Sequence, residues 1–208
     1  MIAIVDYKAG NLSSVQAALQ AVGAAAVVTS DPVTILAAER VLFPGVGAAG
    51  TAMANLEASG LIPALRTVVA RGTPFLGICL GYQILFERSE ENDTACLGFF
   101  KGRVRRFPAD LPGEAGRPLK IPHMGWNQVA FIGEHPLWAG VPADSEFYFV
   151  HSYYVEPAVP AEASAIANYG FGFAAGSVRG NLAGVQFHPE KSGRPGLQIL
   201  RNFCSWRG

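Results

Sequence analysis

Gly77-Ile78-Cys79-Leu80-Gly81 sets a cysteine between two glycines, directly after the apolar run Pro74–Leu76. A residue at a sharp strand-to-helix turn is presented at the carboxyl edge of a sheet in a strained conformation, and flanking glycines let the backbone pack closely around it. A helix beginning after Cys79 would aim N–H groups and its positive dipole end at the sulfur, favouring the reactive thiolate. An oxyanion formed at an attacked carbonyl would then take the Leu80 N–H. A bare cysteine also fits an inert buried thiol. Glycines at a strand end favour the nucleophile.

A thiolate that attacks a carbonyl needs a partner that can protonate the leaving amine, and histidine does so near neutral pH. The chain offers His123, His135, His151 and His188. His135 precedes a proline and reads as a surface turn residue. His123 and His151 lie in aromatic, apolar company and read as structural or interface histidines. His188 differs, because the buried strand Gly184–Phe187 delivers it to a strand end where Pro189 stops the ladder. Glu190 follows two residues on, so in an extended chain both side chains leave on one face. A carboxylate there can hold one ring nitrogen and leave the other for the thiol. Cys79, His188 and Glu190 are therefore candidates for a catalytic triad. Joining them requires two strand ends at one sheet edge, which a parallel sheet provides.

The elements around these residues predict such a sheet. Ile2–Val5 is a short apolar run of the buried-strand kind. Asn11 suits an N-cap, with Leu12, Val15, Leu19 and Val22 following at helical spacing before Gly23. Ala25–Thr29 reads as a second strand and Arg40–Phe43 as a third, stopped by Pro44-Gly45. Helices are expected over about 48–56 and 61–70. A fourth strand, Pro74–Ile78, runs into Cys79 and a helix reaching about Glu87. Strand alternating with helix indicates βαβ units and a parallel sheet covered on both faces. Beyond Gly98 the pattern changes to strands and turns at Val104–Phe107, Gln128–Phe131, Glu146–Val150, Ala163–Asn168 and Gly184–Phe187, before a closing helix over Pro195–Trp206. The expectation is an α/β fold of one domain over 1–208, with a mostly parallel central sheet flanked by helices and added antiparallel strands.

Composition agrees. Half of the 208 residues are hydrophobic and 15% are charged, enough for a well-buried core and against disorder. Basic and acidic residues balance at 16 each, which removes the electrostatic drive toward nucleic acid or anionic membrane. Lys101, Arg103, Arg105 and Arg106 are the local exception and read as a solvated strand face. Ala9–Ser30 carries no charge, yet Asn11, Ser13, Ser14, Gln16 and Gln20 interrupt it, so no membrane span is expected. Cys79, Cys96 and Cys204 form no CxxC pair, and Met1–Asp6 enters a strand without a basic n-region, so a reducing cytoplasm is expected.

Taken whole, the chain resembles the class I glutamine amidotransferases. Gly77-Ile-Cys-Leu-Gly-Tyr-Gln83 is similar to their nucleophile elbow, and His188-Pro-Glu190 to the rest of their triad. Asp6-Tyr-Lys-Ala-Gly-Asn11, Pro44-Gly-Val-Gly47, Ile121-Pro-His-Met-Gly-Trp-Asn127, Phe147-Tyr-Phe-Val-His-Ser-Tyr-Tyr154 and Gln186-Phe-His-Pro-Glu-Lys-Ser192 narrow the resemblance to one branch, the glutaminase subunits of imidazole glycerol phosphate synthases. These stretches run from the first strand almost to the last helix.

The resemblance implies a flavodoxin-like α/β fold and hydrolysis of glutamine to glutamate and ammonia through a cysteinyl thioester, with no cofactor or metal. It implies that Val46 and Gly47, with Leu80, serve the oxyanion, and that their loop can flip a peptide between off and on states. It further implies that Gln83, Ser152 and Tyr153 hold glutamine. Asn11, Trp126, Tyr148 and Lys191 would face a (β/α)8 cyclase subunit, in a heterodimer that channels ammonia in histidine biosynthesis. Two departures stand out: Lys8-Ala9 replaces a glycine-rich turn, and Tyr82 a methionine before the elbow glutamine. Other amidotransferases of the class, serving anthranilate, carbamoyl phosphate or pyridoxal phosphate synthesis, would share the chemistry at Cys79. A scaffold without turnover would lack a triad member, and a cysteine peptidase would need a polypeptide groove.

Overall fold

The computed structural model describes residues 1–8, 10–113 and 118–208; Ala9, half of the Lys8-Ala9 departure, lies outside the described residues. The first part alternates strand and helix: β1 (Ile2–Val5), α1 (Leu12–Ala21), β2 (Ala26–Thr29), α2 (Pro32–Ala37), β3 (Arg40–Gly45), α3 (Ala49–Ala58), α4 (Ile62–Ala70), β4 (Phe75–Cys79) and α5 (Leu80–Gln83). Two short strands follow, β5 (Arg88–Ser89) and β6 (Thr94–Ala95). Then come β7 (Gly102–Arg106), β8 (His123–Phe131), β9 (Glu146–His151), β10 (Tyr153–Pro157), β11 (Ala163–Asn168), β12 (Gly172–Arg179), β13 (Leu182–Val185) and helix α6 (Gly193–Ser205).

Strands β2-β1-β3-β4-β13 lie side by side and parallel. Beyond β13 the sheet continues antiparallel through β12, β10 and β7, while β11 branches from β12 and carries β8 and then β9. Alternation along β1 divides the core, as the pleat requires. Ala3 and Val5 join Ile35, Leu56 and Leu65 of α2, α3 and α4 on one face. Ile2 and Ile4 join Val15, Leu19, Ile199 and Phe203 of α1 and α6 on the other. A parallel sheet with both faces covered puts the carboxyl ends of β3, β4 and β13 at one edge.

Several local expectations are corrected. Pro44-Gly45 does not stop β3, which runs through both residues and pairs Gly45 with Cys79. Pro44 is accommodated because its carbonyl side is intact, and its missing donor removes only one ladder bond. The helix after Cys79 ends at Gln83 rather than near Glu87. Asn11 does not cap α1 with its side chain; it adopts a left-handed conformation (φ 59°) and turns the amide elsewhere. The last central strand is Leu182–Val185, not Gly184–Phe187, and β5 pairs parallel to β7 amid otherwise antiparallel additions. Strands β10 and β12 escaped the sequence pattern. In β12, Gly172, Ala174, Ala175, Gly176 and Ser177 carry little β propensity, yet the strand is buried along most of its length.

The basic stretch forms an ion-paired strand face. Lys101 meets Glu87 at 2.8 Å, Arg103 meets Glu156 at 3.0 Å and Arg105 meets Glu90 at 3.3 Å. Tyr82 fits its place without crowding the sulfur. Its ring lies against Gly184, where a Cβ would come within 2.1 Å, and its hydroxyl meets the Ser177 hydroxyl at 2.6 Å.

Candidate active site

Cys79 ends β4 at φ 54° and ψ −112°, a strained backbone for a residue with a side chain. Two glycines permit it. A Cβ on Gly81 would lie 1.9 Å from the Phe43 carbonyl oxygen, so β3 and the start of α5 touch backbone to backbone. A Cβ on Gly45 would lie 2.2 Å from the Tyr7 hydroxyl. The turn is wedged between β3 and Tyr7, and the sulfur is fixed by packing. Because α5 has only four residues, its macrodipole is too small to carry the activation expected of a longer helix. The histidine must contribute more.

His188 follows β13 after two further residues, and its backbone N–H donates to the Tyr148 carbonyl at 2.9 Å. Residues Pro189–Lys191 form one 3₁₀ turn rather than the extended chain expected. That turn still brings Nδ1 of His188 to 2.7 Å from Oε1 of Glu190, both side chains buried. The same Oε1 accepts from Nδ2 of Asn11 at 2.6 Å, which is where the uncapped asparagine points. Nε2 of His188 is buried without a partner in hydrogen-bonding geometry among the described residues. Burial pulls the imidazole's proton affinity down, but the Cys79 sulfur and the Glu190 carboxylate outweigh it and raise the pKa from 6.5 to about 10. The arrangement favours an imidazolium between the sulfur and the carboxylate.

That shift predicts a pH signature. A histidine whose folded pKa is raised contributes stability that is complete below about 6.5 and is lost as pH rises through about 10. Glu190→Gln keeps an oxygen for both hydrogen bonds but removes the charge. Wild type should therefore melt above Glu190→Gln at neutral pH, with the gap closing as pH rises toward 10. Thermal melts across that range test it; a gap independent of pH would refute the charge-pair account.

A cavity of about 330 Å³ opens beside the sulfur. The elbow contributes Cys79, Leu80 and Gln83, the loop after β3 contributes Val46 and Gly47, and the β9–β10 junction contributes Ser152 and Tyr153. His188 closes it. Every candidate for the oxyanion and for glutamine thus lines one space. It lies at the small end of the roughly 300–1,000 Å³ of ligand sites, a size that suits an amino acid. Gly47 holds a positive φ of 99°.

The four candidate interface residues gather outside this cavity. Trp126 and Tyr148 are cross-strand partners in β8 and β9 with ring centroids 6.2 Å apart, and Nζ of Lys191 sits 5.8 Å above the Tyr148 ring. Trp126 is 55% exposed, so it is no core aromatic. Met124, on the same strand, is 62% exposed.

Two neighbours of the sulfur were not singled out from sequence. Gln186 is wholly buried; its Oε1 accepts from Nε2 of Gln83 at 3.0 Å, and its Nε2 lies 3.8 Å from Sγ of Cys79. An amide in the buried strand before His188 was the available signal. Tyr7 stacks on Phe43 and buries a hydroxyl with no partner among the described residues; burial first, and then Cys79, push its phenol pKa upward. No cluster of three or more metal-binding side chains occurs among the described residues. No described helix is long and apolar enough to cross a membrane.

Known proteins resemble this chain over nearly its whole length. The family model "Glutamine amidotransferase class-I" matches residues 3–205. The imidazole glycerol phosphate synthase subunit HisH of Methylococcus capsulatus is 56% identical over 99% of this chain and 96% of its own length. HisH 1 of Pseudomonas aeruginosa is 52% identical over 100% and 97%. Among solved structures, a glutamine amidotransferase superposes with a TM-score of 0.74 at 17% identity, covering 99% of this chain and 100% of its own. A chain of PurLQS from Thermotoga maritima gives 0.71 at 15% identity, over 98% and 97%. At such identity the two structures speak for the fold alone.

Proposed function

This chain belongs to the class I glutamine amidotransferases, and we propose that it is the glutaminase subunit of an imidazole glycerol phosphate synthase, folded as one domain and working in the cytoplasm. The observation that carries the chemistry is the buried His188–Glu190 pair at 2.7 Å, whose histidine lines the same cavity as Cys79. The observation that carries the acceptor is identity above one half, over nearly the whole chain, with subunits bearing that synthase's name.

In the proposed reaction the Cys79 thiolate attacks the γ-carboxamide carbon of glutamine. A C–S bond forms, and the carbonyl electron pair moves to oxygen as a tetrahedral oxyanion. N–H groups of Leu80 and of the Val46-Gly47 loop stabilise that charge, each such donor contributing on the order of 10²-fold in rate. His188 gives its proton to the departing nitrogen, the C–N bond breaks and ammonia leaves. Water then adds to the thioester, His188 takes up its proton, and glutamate departs with the thiolate restored. Gln83, Ser152 and Tyr153 hold the substrate. A flip of a peptide in the Val46-Gly47 loop after β3 switches the oxyanion site, Gly45 and Gly47 on either side of Val46 making the rotation affordable.

Ammonia passes to a (β/α)8 cyclase subunit that docks on Asn11, Trp126, Tyr148 and Lys191. The exposed tryptophan suits an interface anchor. The cyclase joins ammonia to its nucleotide substrate and releases imidazole glycerol phosphate and aminoimidazole carboxamide ribonucleotide, which places the pair in histidine biosynthesis. The test is glutamate release by the purified chain, alone and with a candidate cyclase and its nucleotide ligand. Stimulation of roughly 10-fold or more is expected, the scale of ordinary coupling between sites. No cyclase-dependent stimulation would sink the assigned acceptor.

A further inference from the structure

The glutaminase reading leaves two buried histidines without a task. His123 of β8 and His151 of β9 face each other across the hairpin, with Nδ1 of His123 at 2.9 Å from Nε2 of His151. Nδ1 of His151 lies 2.7 Å from the Tyr153 carbonyl, and Nε2 of His123 lies 3.2 Å from Nδ2 of Asn127. Ordinary core histidines need no such alignment at all four ring nitrogens.

Hydrogen-bond arithmetic gives the chain one direction. The Tyr153 carbonyl can only accept, so Nδ1 of His151 carries a proton. Burial disfavours the charged form and lowers the His151 pKa to about 3 and the His123 pKa to about 4, so both rings are neutral. Nε2 of His151 is therefore a bare acceptor and Nδ1 of His123 must donate to it. That leaves Nε2 of His123 to accept from Asn127, whose amide nitrogen also donates to the Asn168 carbonyl at 2.8 Å.

A second run of donors meets the first at the Tyr153 carbonyl and leads to the sulfur. The Tyr153 carbonyl also accepts from Nε2 of Gln83 at 2.9 Å. The second proton of that nitrogen goes to Oε1 of Gln186 at 3.0 Å, which turns the Gln186 nitrogen to Cys79. Two donor runs thus converge on the Tyr153 carbonyl, one from Asn127, the neighbour of exposed Trp126, through both histidines, and one from Gln83, whose nitrogen also donates to Gln186 beside the nucleophile.

We propose that His123 and His151 are positioning residues of the glutamine site, a one-way hydrogen-bond chain that ends on the Tyr153 carbonyl and holds it in place, and with it the Gln83 and Gln186 amides beside the Cys79 sulfur. The proposal rests on the glutaminase reading for what is positioned, but not for the chain itself. Gln83 and Tyr153 form the wall on which the substrate rests, so slack in the chain should weaken substrate binding more than the chemical step.

Two measurements on the full-length chain test it. Long-range proton–nitrogen NMR of the ¹⁵N-labelled protein at neutral pH should show both rings as neutral Nδ1–H tautomers. A proton on Nε2 of either ring would overturn the direction, whatever the enzyme does. Kinetics then separate positioning from packing. His123→Leu fills the space but leaves His151 without a donor, and should raise the KM for glutamine roughly tenfold with little change in kcat. His123→Asn can place an amide N–H where Nδ1 stood and should recover most of that loss. A wild-type KM in His123→Leu, or equal impairment in both variants, would overturn the proposal. A wild-type enzyme that releases no glutamate would instead overturn the glutaminase reading and leave the NMR result standing.

Discussion

Cys79→Ala is expected to abolish glutamine use, by roughly 10⁵–10⁶ in turnover, while ammonia supplied as a salt still drives synthesis by the assembled two-subunit enzyme. The magnitude follows from the role. The sulfur forms the bond that splits one hard displacement into two easier steps, and no other thiol lines the cavity. Cys96 and Cys204 are both free; the first lies at the β6 end and the second on α6. Their thiol pKa values are raised, chiefly by burial, to about 11 at Cys96. Co-purification of the two subunits separates a lost nucleophile from a lost fold, since an unfolded subunit could not remain assembled, and ammonium-driven synthesis shows that the cyclase is intact. Glutamate release and ammonium-driven product formation, measured side by side, decide it. Retained glutamine hydrolysis in Cys79→Ala would remove the basis of the proposed mechanism.

Gly81→Ala should do nearly as much harm without touching a reacting atom. Its Cβ would need the place of the Phe43 carbonyl oxygen, 1.9 Å away, and that carbonyl belongs to a central strand. Neither side can yield cheaply, because β3 is paired on both edges. A cost of about 3 kcal/mol is expected, or a melting temperature lower by roughly 6–12 °C for a chain of this size. Whatever relief occurs must move the elbow, and a displacement near 1 Å at a reacting group costs on the order of 100-fold in turnover. Gly172→Ala is the control, because its Cβ would meet only a methyl of Ile166 at 3.6 Å. A Gly81→Ala protein that melts and turns over like wild type would show that the wedge does not hold the sulfur.

The parallel half of the fold could be read from the chain because its strands are short apolar runs bounded by Gly, Pro and Asp, and its helices repeat at the right period. The antiparallel half was harder. Strand β12 holds glycine, alanine and serine at most of its positions because it is packed on both sides, and small residues there carry the signature of crowding rather than of a strand. At the site, the identities of Cys79, His188 and Glu190 were legible because each needs a particular chemistry at a particular spacing. The backbone joining the last two was misread: a 3₁₀ turn, not an extended strand, makes their contact. Pairings such as Asn11 with Glu190, or Gln186 with Cys79, unite segments far apart in sequence, and no local pattern announces them. Asn11 in particular looked like a helix cap, since the residue type serves either role.

That asparagine carries a consequence for the energetics of assembly. Its amide is bonded to the carboxylate that orients His188, and in the proposed complex it also faces the cyclase. If docking draws the amide away or presses it closer, the proton affinity of His188 must change by a corresponding factor. Thermodynamic reciprocity then binds the two events in both directions: the state of the thiolate–imidazolium pair must alter the grip on the partner by the same factor. Affinity between the subunits thereby becomes a reporter of charge in the active site, readable from the outside without observing a single turnover.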